Sequence, residues 1–289
     1  MDNSIINTKG LLTIAIGKKY VKQAKYLAYS CMLNSPHTLR AAVTNFPDKL
    51  SPYYDFTIPW TDSCDPFSIK TRIYELSPFN KTLYIDADSL VFHPLDDYWN
   101  YLKNNSYVYE GKKLTGGEWY FDIKKICTII QTGRIPIFNS GMLLFSKSET
   151  AKQIFDTAHY YFSNHKKEGI EIPYFRGNHY PDEPAFAIAL AKHNIEPVND
   201  YGRFSRTLIN ATDIKIDVTK RIARFIKNDK FVYPLVVHFC GRIGNIFYRI
   251  QKRKLFFLFA NPLSKLFFNT IQRLRKYFNT SPNPPSFPS

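Results

Sequence analysis

The sequence K-T-L-Y-I-D-A-D-S-L-V-F occupies residues 81–92. Its first half is apolar and β-forming and predicts a buried strand over 82–85. That strand runs into Asp86-Ala87-Asp88, and a second apolar run, Leu90-Val91-Phe92, follows. In extended backbone, residues i and i+2 point the same way. Asp86 and Asp88 therefore share one side at the carboxyl end of a strand, where open α/β sheets hold ligands. Paired carboxylates there make a hard-oxygen site for Mn²⁺ or Mg²⁺. Such an ion neutralises a diphosphate and stabilises it as a leaving group. A D-x-D arises about once by chance in a chain this long, so two solvated turn aspartates are the plain alternative. The apolar runs on both sides argue against it, because carboxylates placed between buried segments need a partner such as a cation.

Outward from that segment the chain alternates strand-like and helical runs, as α/β domains do. Strands are predicted over 11–16, 39–44, 56–58, 106–109 and 235–238, with strand-like runs inside 137–146 around Asn139-Ser140-Gly141. Helices are predicted over 21–33, 68–76, 149–165 and 182–192, with Ser148 as an N-cap and Pro184 in the first turn of the last. Residues 111–120, broken by Gly116-Gly117, read as a loop.

Composition sets the limits. The 289 residues are 44% hydrophobic and 22% charged, which excludes disorder, collagen and coiled coil for most of the chain. No apolar run reaches the roughly 18–20 residues that span a bilayer. The first sixteen residues lack the basic start and long apolar run of a signal peptide. Cys31, Cys64, Cys127 and Cys240 are scattered, which fits reduced thiols in the cytoplasm rather than a zinc ribbon or a disulfide scaffold. The net charge is +15, but nine basic residues and no acid lie beyond residue 240. The body's own excess is small, and no nucleic-acid partner is expected of it. A G-x-G-x-x-G loop is absent, so a dinucleotide site is not expected either.

Four segments, in order, resemble the nucleotide-sugar glycosyltransferases of the GT-A fold, in particular the retaining glycogenin and bacterial lipopolysaccharide galactosyltransferase group (glycosyltransferase family 8). They are T-I-A-I-G-K-K-Y at 13–20, the D-x-D run, F-N-S-G at 138–141 and V-H-F-C-G-R at 237–242. The resemblance implies an α/β fold with a central mixed sheet flanked by helices. It also implies transfer of a hexose from a UDP-sugar donor to a hydroxyl of a glycan or glycolipid acceptor, with retention, and Mn²⁺ or Mg²⁺ on the diphosphate. Carried over by residue, it implies Asp86, Asp88 and His238 as metal ligands. It places the backbone of Ala15, Ile16 and Gly17 on the nucleotide and stacks Tyr20 on its uracil. Lys70, Ala87, Gly241 and Arg242 fall around the donor, and Asn139 faces its sugar. In Y-P-D-E-P-A-F the family has Asp-Gln; Asp182 matches the aspartate, as a sugar-binding residue, and Glu183 replaces the glutamine. A carboxylate at 183 could stabilise an oxocarbenium-like centre or act as a nucleophile. Without the resemblance each of these has an ordinary reading. His238 is then a structural histidine at a strand end, Tyr20 a core residue and Lys70 an exposed helix lysine. Asn139-Ser140-Gly141 is then plain turn chemistry, and Asp182 and Glu183 are acids that favour a helix dipole.

One departure concerns the diphosphate. The family's late motif runs on to a lysine that holds it, and Gly244 stands in that place here; Arg242 or Arg249 is the expected substitute. The organisation expected is a transferase body over 1–241, basic aromatic amphipathic helices over 242–280 and a disordered Pro/Ser-rich end over 281–289. In the tail, a helix opening at Asn261-Pro262 aligns Leu263, Phe267, Ile271, Leu274 and Phe278 on one stripe, with Lys265 and Lys276 opposite. That pattern suits peripheral attachment to the cytoplasmic membrane face, or packing of the stripe on the body. Two other functions use the same residues. One is a metal-dependent nucleotidyl- or phosphotransferase. The other is a non-catalytic membrane- or nucleic-acid-binding protein built on a degenerate transferase body.

Overall fold

The computed structural model describes residues 8–61, 66–173 and 179–260, with Thr270 beyond them. In chain order the first half holds β1 (Lys9–Ala15), α1 (Lys18–Asn34), β2 (Leu39–Thr44), α2 (Pro47–Leu50), β3 (Phe56–Pro59), α3 (Pro66–Lys70), α4 (Ile73–Leu76), β4 (Lys81–Ile85), β5 (Ser89–Val91), α5 (Asp96–Tyr101) and β6 (Tyr107–Val108). There follow β7 (Gly111–Leu114), α6 (Ile123–Ile129), β8 (Ile135–Phe138), β9 (Met142–Ser146), α7 (Glu149–Asn164) and α8 (Glu183–Lys192). The chain then adds β10 (Arg206–Thr207), β11 (Thr212–Asp217), β12 (Ile222–Lys227), β13 (Lys230–Val232), β14 (Val236–His238) and α9 (Gly241–Ala260).

Six strands form the central sheet in the order β3-β2-β1-β4-β9-β6. The first four are parallel, and β9 runs antiparallel to both β4 and β6. The sheet is therefore mixed, as expected. Alternation along each strand feeds two cores. Leu12, Ile14, Tyr84, Leu143 and Phe145 meet the buried faces of α7 and α8. Leu11, Leu83, Ile85 and Leu144 meet α1 and α5. A second, three-stranded sheet of order β10-β14-β5 stands at the carboxyl end of β4.

The local chemistry of the predicted elements holds in several places. Ser148 Oγ accepts the Ala151 N–H at 3.2 Å and caps α7. The helix expected over 68–76 is instead two short ones, α3 and α4, separated at Thr71 and Arg72. The loop expected over 111–120 begins as a strand, because Gly111–Leu114 pairs antiparallel with β8 before the Gly116-Gly117 break. Asp122 caps α6 by accepting the N–H groups of Lys124 and Lys125.

Helix α9 presents two apolar faces. Gly244, Tyr248, Gln251, Leu255 and Phe259 are buried; Tyr248, Leu255 and Phe259 join a cluster with Tyr26, Phe225 and Phe239. Phe259 stacks on Tyr29 with ring centroids 4.0 Å apart. Gln251 satisfies two backbone groups of the neighbouring hairpin, Val218 N–H at 2.9 Å and Ile216 C=O at 3.2 Å. On the opposite side, Ile243, Ile246, Ile250 and Phe257 are exposed, Phe257 by 70%. The stripe expected over 263–278 and the end expected over 281–289 lie outside the described residues.

Candidate active site

Strand pairing explains how residues far apart in sequence meet. The antiparallel pairing of β4 with β9 ends at Ile85 opposite Met142, which sets Asp86 beside the Asn139-Ser140-Gly141 turn. The pairing of β14 with β5 sets His238 opposite Ser89. Backbone hydrogen bonds then lock the three segments together. Asp86 N–H donates to Gly141 C=O at 3.0 Å, and Phe239 N–H donates to Asp88 C=O at 3.1 Å.

Asp86, Asp88 and His238 offer ligand atoms that all lie within 4.8 Å of one another. His238 Nε2 is 3.1 Å from Asp88 Oδ1 and 3.8 Å from Asp86 Oδ2. Two carboxylates and one imidazole fit a cation that accepts oxygen and nitrogen, such as Mn²⁺ or Mg²⁺. Burial penalises both charged groups of the closer pair, but their attraction outweighs it. His238 holds the Asp88 carboxyl below its ordinary value, and Asp88 holds the imidazole above its own.

Lys70, at the end of α3, is buried. Its Nζ lies 3.1 Å from both Asp86 Oδ1 and Asp182 Oδ2, and 3.3 Å from Ser140 Oγ and C=O. Burial alone would lower its pKa; Asp182 and then Asp86 reverse the sign and raise it. The ordinary reading of an exposed helix lysine is excluded by this burial. Tyr84 adds a hydroxyl that donates to Asp86 Oδ1 at 2.7 Å, from the same face of the strand.

Asp182 and Glu183 stand at the start of α8, and Asp182 makes no capping hydrogen bond. Glu183 Oε1 accepts from Asn139 Nδ2 at 3.0 Å and Ser140 N–H at 3.1 Å, and Oε2 accepts from the Tyr120 hydroxyl at 2.8 Å. Burial first, then the adjacent Asp182, pushes the Glu183 carboxyl above its ordinary value, against the downward pull of Tyr120 and Ser140.

The remaining predicted residues are more dispersed. Ala15 is fully buried, and its carbonyl accepts from Thr44 Oγ1 at 2.8 Å. Ile16 packs half-buried at the edge of the core. Gly17 N–H donates to Asn45 Oδ1 at 2.9 Å. Tyr20 is 39% exposed in the first turn of α1, so it is not a core residue. Ala87 is buried and turns its methyl into a cluster with Ala15, Val21 and Ala24. Gly241 opens α9, and Arg242 and Arg249 are exposed along it. Gly244 is wedged against the connection between β14 and α9: a Cβ there would sit 2.7 Å from the Phe239 carbonyl carbon and oxygen. That packing gives a structural reason for the missing lysine. Sequence reasoning missed Tyr84 and Tyr120. Tyr84 is two residues before Asp86 on one strand face, a legible signal, whereas Tyr120 comes from an irregular segment that carries none.

The model of the family described as Glycosyl transferase family 8 matches residues 68–243. No curated protein matches the chain in sequence. Among solved structures, the chain is similar to the galactosyltransferase LgtC in complex with donor and acceptor sugar analogues. That match has 16% identity and a TM-score of 0.56, over 85% of this chain and 94% of the other. An active-site glutamine-to-glutamate mutant of LgtC matches at 15% identity and a TM-score of 0.51, over 81% and 88% of the two chains. The apo structure of the bifunctional glycosyltransferase WbbM matches at 9% identity and 0.51, over 84% of this chain and 47% of that one. The central mixed sheet with its flanking helices is thus the GT-A fold of LgtC.

Proposed function

The chain belongs to glycosyl transferase family 8 and is a glycosyltransferase, and from that premise we propose that it moves a hexose from a UDP-sugar to a hydroxyl of a glycan or glycolipid, with retention and with Mn²⁺ or Mg²⁺ bound. The convergence of Asp86, Asp88 and His238 at the end of β4 carries this reading. The bound ion would supply charge neutralisation of the leaving diphosphate. Everything else is the work of the protein's own groups. Asp86 and Asp88 face the ion, and Lys70 holds Asp86 and Asp182 in register. Ile16, Gly17 and exposed Tyr20 offer a nucleotide platform, with Gly241 contributing backbone, while buried Ala15 and Ala87 support it from behind. Arg242, which follows Gly241 directly, replaces the family's lysine as the diphosphate cation. Asp182, Glu183 and Asn139 face the sugar. In the transfer, the bond from the anomeric carbon to the diphosphate oxygen breaks, UDP leaves with the electron pair, and the acceptor oxygen forms the new bond and passes its proton to the departing diphosphate.

The rival nucleotidyl- and phosphotransferase readings need a glycine-rich phosphate loop, and the first loop here has a single glycine, Gly17. The degenerate-body reading is tested directly. A panel of UDP-sugars with Mn²⁺ should yield UDP release with at least one donor, and calorimetry should register UDP binding. No turnover with any donor together with no UDP binding overturns the proposal. The anomer of the first product, read by proton NMR, decides between retention and inversion.

For the acceptor's setting, the supporting feature is α9. No helix of the described residues is long and apolar enough to cross a membrane. The outward stripe of Ile243, Ile246, Ile250 and Phe257, bordered by Arg242, Arg249 and Arg253, suits attachment to an anionic cytoplasmic lipid surface.

A further inference from the structure

Asn139 sits between two parts of the site that the reading above treats separately. Its Oδ1 lies 3.2 Å from Gly141 N and 3.1 Å from His238 Nδ1. Its Nδ2 lies 3.0 Å from Glu183 Oε1. An amide's oxygen and nitrogen are usually interchangeable on density alone. Here two neighbours decide between them. A backbone N–H only donates, and an ionised carboxylate only accepts. The Gly141 N–H therefore demands Oδ1, and Glu183 demands Nδ2. Reversing the amide would set two donors against each other at Gly141 and two acceptors at Glu183.

The consequence falls on His238. With an acceptor fixed opposite it, Nδ1 must carry a proton. Nε2, which faces Asp88 and Asp86, is then the nitrogen left to give up its proton to a cation. The orientation is over-determined from behind. Ser140 N–H and the Tyr120 hydroxyl hold the Glu183 carboxylate at both oxygens. Gly141 lets the imidazole lie against the turn, since a Cβ at that position would overlap the ring.

We propose that Asn139 is a positioning residue for His238: its amide, locked by Glu183 and the Gly141 N–H, keeps the Nδ1 proton in place and turns Nε2 toward the cation site. This rests on the metal reading of the preceding subsection. Metal-bound histidines commonly donate their other N–H to a carboxylate or carbonyl, and losing that partner costs about 10–100-fold in metal affinity. Here an asparagine fills that role, with Glu183 and Tyr120 behind it.

Two measurements on the full chain test it, neither of which reads activity. The first is the nitrogen-15 spectrum of His238 in the Mg²⁺-loaded protein, where the proton is expected on Nδ1. A proton on Nε2 with a bare Nδ1 overturns the proposal, and this holds whether or not any variant folds. The second is Mn²⁺ affinity, read from the electron paramagnetic resonance of the free ion with no sugar present. Asn139→Leu is expected to bind Mn²⁺ about 10–100-fold more weakly than wild type. A folded Asn139→Leu protein within threefold of wild type, while His238→Ala loses binding, overturns the proposal and leaves the metal reading intact. Wild type that takes up neither ion overturns both.

Discussion

The end of β4 and the helix that follows β14 carry opposite kinds of charge. In the first, charged side chains are buried or half-buried and answer one another: Lys70 is shared by Asp86 and Asp182, and His238 by Asp88 and Asp86. In the second, Arg242, Arg249 and Arg253 are exposed, and among the described residues they form no ion pair. Among the described residues, Lys254 is the one cation on that helix in an ion pair, at 2.6 Å from Asp217, and Lys252 lies over the Tyr26 ring. Internal pairing fixes distances, which a site that binds a cation and a sugar requires. Unanswered surface charge fixes nothing internally and is free for a partner of opposite sign. The same residue types therefore serve geometry in one region and recruitment in the other.

Removing Lys70 should break the contrast most severely. Lys70→Met leaves the buried Asp182 carboxylate with no counter-charge and removes the nearer of the two cationic groups beside Asp86. Such a loss costs about 3–5 kcal/mol, read as a lower urea midpoint at unchanged slope. The exposed cations predict the reverse pattern. Arg249→Gln and Arg253→Gln together should weaken partition onto anionic liposomes by about 2 kcal/mol, at about 1 kcal/mol per arginine. The melting temperature should barely move. Unchanged liposome binding would assign the outer face of α9 to something other than lipid.

Gly244 sharpens the comparison at its border, where α9 leaves the site. In an ordinary helix interior, glycine to alanine gains about 1 kcal/mol. Here the new methyl would meet the Phe239 backbone at 2.7 Å, and backbone cannot step aside as a flexible side chain can. Gly244→Ala is expected to destabilise by about 1–3 kcal/mol instead. A stabilised variant would mean that the connection at Phe239 can give way to a side chain, and that the lysine position holds glycine for some other reason.

The parts of this arrangement that the sequence announces are those with a period. β1, β2 and β4 are apolar runs bounded by turns, and the pairing of their neighbours places Asp86, Asp88 and His238 together as the motif order implies. The parts that stay hidden depend on tertiary contact. β11 and β12 mix isoleucines with lysines, an arginine and aspartates, so their pattern is diluted by charge, and β13 and α6 are short. Lys70 looks like any helix lysine until burial is known. Glu183 reads as a free carboxylate near the sugar, yet three donors already hold it, one of them from Tyr120, which lies 63 residues away in sequence. Long-range hydrogen bonds of that kind have no sequence period to betray them.

The smallest effect tests whether the paired charges stabilise the empty fold or only hold ligands. In chelator, with no cation present, the Asp88–His238 pair should make stability depend on pH on two sides. Asp88 titrates below its ordinary value, so its contribution is present above about 3.8 and is lost as pH falls through the depressed folded value. His238 titrates above its ordinary value, so its contribution is complete below about 6.5 and is lost as pH rises through the elevated folded value. The pair therefore stabilises most between those limits, and the melting temperature should decline from pH 6.5 upward. His238→Gln carries no proton to lose and should flatten that alkaline decline. The outer-face arginine variants, which leave the Asp88–His238 pair untouched, should keep it. If His238→Gln retains the full decline, the pair contributes nothing to folding, and its geometry is maintained by the backbone bonds of Asp86 to Gly141 and Phe239 to Asp88 alone.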